Sequence, residues 1–350
     1  MKHNSEKIEK IGNVILNLNY YSGNDQYSEG EGEDRLLEIV KTRRENEYDS
    51  VIEGERSWSI LYHLSHIREN VAAWLPLNAS HSVLEIGSGC GAITGVLSAM
   101  AGHVTCIDLS KKRSEINAYR HRECDNIEIL VGNFKEIEPE LEEKYDYVTL
   151  IGVLEYADLY IGGENAFTAM LKTAAGHLIE DGKLFIAIEN KYGLKYFAGC
   201  KEDHTGKYFE GIEGYCGEHG VQTFGRRQLK ELLHEAGMKT RFYYPYPDYK
   251  LPHTIYSDAY LPSPGELRTN IRNFDADRIV SFDEGKVFDS LIRDHMFPDF
   301  ANSFAVVAAK EEAMCQSEDV PLFVRFASDR APQYRLATKI VMGADGKRHV

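Results

Sequence analysis

The segment Val83-Leu84-Glu85-Ile86-Gly87-Ser88-Gly89-Cys90-Gly91 constrains this chain more than any other. A β-prone run enters a turn in which glycine recurs at every second position. Without a Cβ, the backbone there can adopt φ > 0 and pass close to a ligand. An apolar, helix-like segment, Ile93–Met100, follows directly, and a second β-prone run, His103–Leu109, ends around the carboxylate of Asp108. Strand, glycine turn, helix and acid-terminated strand make a nucleoside-binding βαβ unit, with the acid placed for ribose hydroxyls.

A dinucleotide fingerprint reads G-x-G-x-x-G and sets a helix N-terminus against a pyrophosphate. Here the spacing is Glu85-x-Gly87-x-Gly89-x-Gly91. A carboxylate two positions ahead of the first glycine would repel a pyrophosphate but suits an ammonium group. With Asp108 closing the next strand, this form resembles motif I of the class I S-adenosylmethionine (SAM) methyltransferases. An NAD-type unit and a glycine turn without a ligand are the competing readings.

The order of elements supports the first reading. Strands are expected at Ser82–Ile86, His103–Asp108, Ile127–Gly132, Tyr145–Ile151 and Lys183–Glu189, with helices at Ala92–Ala101, Lys112–Glu123 and Asn165–Ile179. Such alternation implies an α/β, doubly wound parallel sheet whose strand ends share one ligand-binding edge. A helix over Gly225–Ala236 stops at Gly237, as a helix C-terminal glycine would require. Strands follow at Met238–Tyr244 and Asn302–Ala309. This layout matches the class I methyltransferase fold, Rossmann-like with a final antiparallel strand.

Three regions are expected. Residues 1–80 form an N-terminal extension, loop-like at first and partly helical, with a helix over Ser57–Trp74 carried by Trp58, Leu61, Leu64, Ile67 and Val71. That helix either lines the cofactor mouth or caps the sheet edge. Residues 81–310 form the SAM-binding domain, with insertions at 191–224 and 247–299 as acceptor site and lid. Residues 311–350 read as a polar linker and a β-hairpin, or as the start of a further domain.

Bulk properties narrow the partners. A formal net charge of −15 argues against nucleic acid as acceptor, since phosphate contacts need clustered Lys and Arg. No apolar run of membrane-spanning length and no signal-peptide hydrophobic region is present, so a cytoplasmic protein without membrane insertion is expected. Six cysteines in 350 residues, two of them in the nucleoside unit, read as reduced thiols. Cys200, His204, Cys216 and His219 give C-x3-H-x11-C-x2-H, which resembles a zinc arrangement. The mixed Cys/His pairing departs from the usual one, and no metal is expected there. The sequence leaves the oligomeric state open.

The resemblance assigns roles residue by residue. Gly87, Ser88, Gly89 and Gly91 let the backbone approach the cofactor, Glu85 approaches its ammonium, and Asp108, followed by Leu109, takes the ribose hydroxyls. Asn133 and Phe134 occupy the adenine position, Asn133 standing where an acid is usual; core packing is the alternative for Phe134. Gly152, Glu155 and Tyr156 resemble the fourth motif, at the methionine end of the cofactor. For Glu155 the alternative is a helix-start carboxylate favoured by the dipole.

The acceptor side is read from the insertions. His204 is the expected general base, because histidine titrates nearest neutral pH; His219, Asp203 and Tyr156 compete. The aromatic run Tyr243–Pro252 would suit a sugar or aromatic acceptor, or plain loop packing. Residues 57–310 resemble methyltransferases of bacterial envelope-glycan clusters, through Tyr62–Asn70, motif I, Glu189–Phe197, Glu202–Gly206, Pro245–Leu251 and Phe300–Val306. That resemblance implies O-methylation of a sugar or glycan precursor. A tailoring methyltransferase for an aromatic or peptide-like small molecule, or a silent methyltransferase-like binding module, would be the alternatives.

Overall fold

The alternating apolar runs form strands, and the computed structural model describes them within residues 7–25, 27–28, 30–215, 220–268, 278–311, 320–328, 330–343 and 345–350. The chain divides into two units. One draws on residues 1–73, 77–150 and 177–182, the other on 74–76, 151–176 and 183–350.

In the first unit, β1 (Ile8–Ile11), β2 (Val14–Asn17), β3 (Ser82–Ile86), β4 (His103–Asp108), β5 (Ile127–Val131) and β6 (Tyr145–Ile151) lie in the order β1-β2-β5-β4-β3-β6. β2, β5, β4, β3 and β6 run parallel, and β1 folds back antiparallel on β2. Val83, Leu84, Val104 and Cys106 are fully buried. Parallel strands covered on both faces need consecutive apolar residues, so no two-residue alternation marks them. The register pairs Ile86 with Ile107 and Asp108 with Val131. Gly87 and Ser88 both donate backbone N–H groups to the Ile107 carbonyl, at 2.8 and 3.1 Å. That pairing brings the glycine turn beside Asp108.

In the second unit, β7 (Leu178–Glu189, from Lys183 onward), β8 (Lys239–Tyr246), β9 (Thr254–Ser257), β10 (Ser303–Ala309), β11 (Phe323–Phe326), β12 (Ala337–Met342) and β13 (Arg348–His349) follow the order β7-β10-β8-β9-β11-β12-β13. All neighbours are antiparallel. β10, buried along its whole length, lies between β7 and β8. It is the late antiparallel strand expected of the class I methyltransferase fold.

Several local expectations are corrected. Residues 8–17 are not loop: Gly12, at φ +62°, turns β1 into β2, and β2 extends the parallel strands through β5. The Gly12 position is packed so that a Cβ would lie 2.1 Å from the Arg122 carbonyl oxygen. The helix expected over Ser57–Trp74 breaks at Ser65, whose backbone is extended. Its hydroxyl accepts from Ile67 N–H to start a separate 3-10 turn, His66–Val71. The helix expected to reach Ile179 ends at Gly176, and β7 already starts at Leu178. Gly237, at φ +80°, ends the helix Arg226–Glu235 as expected. At the C-terminus a short return strand, β13, does pair with β12. Residues 312–319, most of the expected linker, lie outside the described residues.

Candidate active site

The first unit builds the turn. Gly87, Gly89 and Gly91 have φ of +74°, +54° and +77°. The last is fixed by packing: a Cβ on Gly91 would lie 2.4 Å from Asn117 Oδ1 and 2.9 Å from His121 Cε1. Gly87 is exposed, so its bare backbone faces outward. Asp108 holds the turn. Its Oδ2 accepts from Gly89 N–H at 2.7 Å and its Oδ1 from Ser110 N–H at 2.9 Å. Burial pushes this carboxyl up, and the Arg113 guanidinium with the two backbone donors pulls it back. An ionised carboxylate has about four lone-pair sites, so both oxygens keep capacity for further donors.

Glu85 points into the interior, where its Oε2 accepts from Thr94 Oγ1 at 2.6 Å, with Cys106 Sγ at 3.4 Å. Burial raises its carboxyl to about 7, against the lowering effect of those two donors. Ser88 is buried and Leu109 half-buried beside the turn. Asn133 spends its side-chain oxygen on a helix cap, accepting from Lys135 N–H at 3.0 Å. Phe134, 6% exposed, lies edge-on to His177 with centroids 6.1 Å apart. The Phe134 ring is thus packed within the first unit. The N-terminal segment adds a residue that sequence reasoning missed. Asp25 accepts from Lys111 N–H at 2.7 Å and Ser110 Oγ at 3.0 Å, capping the helix that follows Asp108. A carboxylate is favoured there by the unpaired N–H groups of the helix start.

The second unit holds a buried ionic cluster drawn from four stretches. After β6, Gly152 (φ +67°) donates its N–H to the Ala187 carbonyl at 2.9 Å, and Glu155 follows, 1% exposed. The end of β7 supplies Glu189, the first insertion supplies Lys195, Glu202, Asp203 and His204, and the second supplies Asp248, Tyr249 and Lys250. Lys195 Nζ lies 2.9 Å from Asp203 and 2.8 Å from Asp248. Lys250 Nζ joins Asp203 at 2.6 Å to Glu189 Oε1 at 2.9 Å. Tyr249 Oη also donates to Glu189 Oε1, at 3.3 Å, and Tyr196 Oη donates to Asp203. Burial alone would raise the Asp203 carboxyl, but the two ammonium groups hold it well below the usual carboxylate range.

His204 sits between carboxylates. Nδ1 meets Glu202 Oε1 at 3.0 Å, and Nε2 faces Glu155 Oε1 at 3.6 Å. Burial would lower its pKa, but the flanking carboxylates outweigh burial and raise it to about 11. Burial pushes the Glu155 carboxyl up, opposed by His204. Tyr156 packs edge-on against the imidazole, with centroids 5.5 Å apart. Cys216 and His219 lie outside the described residues, and His204 turns its ring nitrogens to the two glutamates. Cys200 is fully buried.

The sequence family described as a methyltransferase domain matches residues 60–241, more than half of the chain. The chain belongs to this family. It is a methyltransferase, and the cofactor of the class I fold is S-adenosylmethionine. Among solved structures, the methyltransferase is similar to the phosphoethanolamine N-methyltransferase 1 of Haemonchus contortus, at 12% identity and TM-score 0.44, covering 82% of this chain and 51% of that one. It is also similar to SAM-dependent methyltransferases of Archaeoglobus fulgidus (13% identity, TM-score 0.43, covering 75% of this chain and 98% of that one) and Thermotoga maritima (14%, 0.42, 76% and 98%). No curated protein matches the sequence.

The methyltransferase brings together three runs that its sequence had marked separately: Glu189–Phe197, Glu202–Gly206 and Pro245–Leu251. Sequence reasoning had singled out His204 and Asp203 but not their partners Glu189, Lys195, Glu202 and Lys250. The aromatic run beside them is core rather than platform. Tyr243, Tyr244, Tyr246 and Tyr249 are all buried, Tyr243 against Trp74 with centroids 4.4 Å apart. Among the described residues, no helix is long and apolar enough to cross a membrane.

Proposed function

We propose that this methyltransferase transfers the methyl group of SAM to a hydroxyl oxygen, on a sugar or glycan precursor. Residues 81–310 form its catalytic domain in this reading. The observation that carries it is the placement of Glu155, whose Oε2 is buried without a hydrogen-bond partner next to an imidazole that Glu202 holds in place. A sulfonium methyl is already activated, so the enzyme has to align it with the nucleophile and exclude water. A hydroxyl must also lose its proton. The acceptor oxygen bonds to the methyl carbon, the carbon–sulfur bond breaks, S-adenosylhomocysteine leaves, and the proton passes to Glu155. His204 orients and neutralises that carboxylate, and Tyr156 packs the imidazole. A sugar, dense in hydroxyls, fits a cluster of buried charged and hydroxyl groups better than an apolar aromatic does.

For the donor, Gly87, Ser88, Gly89 and Gly91 with Leu109 and Gly152 supply close backbone, Asp108 takes the ribose hydroxyls and Glu85 answers the ammonium. Asn133 serves the adenine side in this reading. The Glu85 role has a signature. Its folded pKa of about 7 lies above the ordinary ~4.3. A bound ammonium lowers it, so binding releases a proton wherever Glu85 is part-protonated. Affinity for SAM therefore rises with pH between about 5 and 7 and levels off above. Calorimetry at pH 6 in two buffers of different ionisation enthalpy reads the released proton directly. Equal heats in both would remove Glu85 from the ammonium.

The acceptor is tested by incubating the full chain with SAM and a panel of nucleotide sugars and short glycans, then following S-adenosylhomocysteine and product mass. A methyl ether on a sugar hydroxyl is expected. Turnover confined to phenols or peptides would overturn the acceptor assignment and leave the donor untouched.

A further inference from the structure

We infer that Glu155, Glu189 and His204 form a binding site for a divalent cation of the manganese class. Their candidate ligand atoms all lie within 4.8 Å of one another. Two independent observations point to a ligand there. Glu155 and Glu189 are 1% and 0% exposed, and each buries its Oε2 with no hydrogen-bond partner. A buried carboxylate oxygen without a donor is costly, and a coordinated cation removes that cost. The other glutamate oxygens are occupied, by His204 for Glu155 and by Lys250 and Tyr249 for Glu189. The orphaned pair is thus what remains to coordinate.

The histidine is arranged as metal-bound histidines are. Nδ1 lies on the Glu202 carboxylate at 3.0 Å, which fixes the ring, and Nε2 faces Glu155 Oε1 at 3.6 Å; a cation entering there would take the place of the proton that Nε2 holds toward that carboxylate. A carboxylate on the far nitrogen orients such a ligand and raises its basicity. Glu202 is itself pinned, accepting from the Thr205 and His204 N–H groups at 2.6 and 2.8 Å. The charge count agrees. The cluster's five carboxylates face two lysines and one histidine, so even a protonated imidazole leaves two negative charges in excess. Two carboxylate oxygens and one imidazole nitrogen, with positions left for water, suit manganese or zinc better than the all-oxygen preference of magnesium or calcium.

The consequence for catalysis, though not the binding itself, rests on the O-methylation reading. A cation held there would coordinate the acceptor hydroxyl oxygen and lower its pKa. With His204 Nε2 turned to the cation, Glu155 Oε1 would be released to receive the proton of the metal-bound hydroxyl, while Oε2 stays a ligand.

The test uses the full chain, dialysed against chelator and titrated with manganese chloride alone, by calorimetry and by the loss of the free-ion electron paramagnetic resonance signal. One manganese per chain is expected. Glu155→Gln and Glu189→Gln should each weaken binding at least about tenfold, while Glu38→Gln, on an exposed helix face, should not. Circular dichroism establishes that each variant is folded, and His204→Asn replaces either glutamine variant that is not. Absence of manganese binding by the folded wild-type chain overturns the inference, as does binding that survives both glutamine substitutions. S-adenosylhomocysteine titrated into the same samples separates the two readings: a chain that binds it but not manganese leaves methyl transfer standing and removes the cation.

Discussion

Asp108→Ala lowers the affinity for S-adenosylhomocysteine by about two to four orders of magnitude. Each hydrogen bond to a charged group contributes ~1.5–3 kcal/mol, and a ribose would offer two hydroxyls to this one carboxylate. The substitution also leaves Gly89 N–H and Ser110 N–H without their acceptor, so the turn loses its tie to β4. Asp108→Asn separates the two effects. It keeps one acceptor and the shape, and should retain the fold while still weakening binding at least about tenfold. Calorimetry reads the affinity and circular dichroism the fold. An alanine variant that binds within about threefold of wild type would remove Asp108 from the cofactor site.

Glu155→Gln acts on the other half of the reaction. Removing a positioned base costs about 10²- to 10⁴-fold in rate, and here kcat should carry the loss. Glutamine keeps the volume and can still meet His204, but it cannot accept the acceptor's proton. Binding of S-adenosylhomocysteine should be unchanged, because Glu155 is assigned to the acceptor's proton, which that ligand does not carry. Single-turnover assays on the true acceptor measure the chemical step. A kcat within about threefold of wild type would mean that the proton leaves by another route.

The donor half was legible in the sequence because its signals are local. Glu85, three alternate glycines and Asp108 lie within 24 residues, and the β3–β4 register is set by two short apolar runs. The late strand β10 was legible from Phe304–Ala309, which is apolar without interruption. The N-terminal hairpin carries a signal of its own: Gly12-Asn13 between Ile8–Ile11 and Val14–Leu16 is a turn pair between β-prone runs. The surrounding charges and the glycine-spotted stretch behind it obscured that pattern. The break at Ser65 was hidden for another reason, since apolar spacing continues through it while the serine caps a new turn.

The acceptor half was legible only in pieces. Nothing near His204 in sequence announces that Lys250 would bridge Asp203 to Glu189, because these contacts span 47 and 61 positions and depend on two insertions folding back. Residue type alone pointed to His204 as a base. Its partners change that expectation, since a histidine set between two buried carboxylates holds its proton. Tyr243–Tyr249 read as a sugar platform from composition, and burial shows that these rings are structural.

The central claim, that the glycine turn and Asp108 bind SAM, is tested most directly by titrating S-adenosylhomocysteine into the full chain. Saturable one-to-one binding, weakened by Asp108→Ala in a folded variant, is the predicted result. No heat and no thermal stabilisation at millimolar ligand would contradict it.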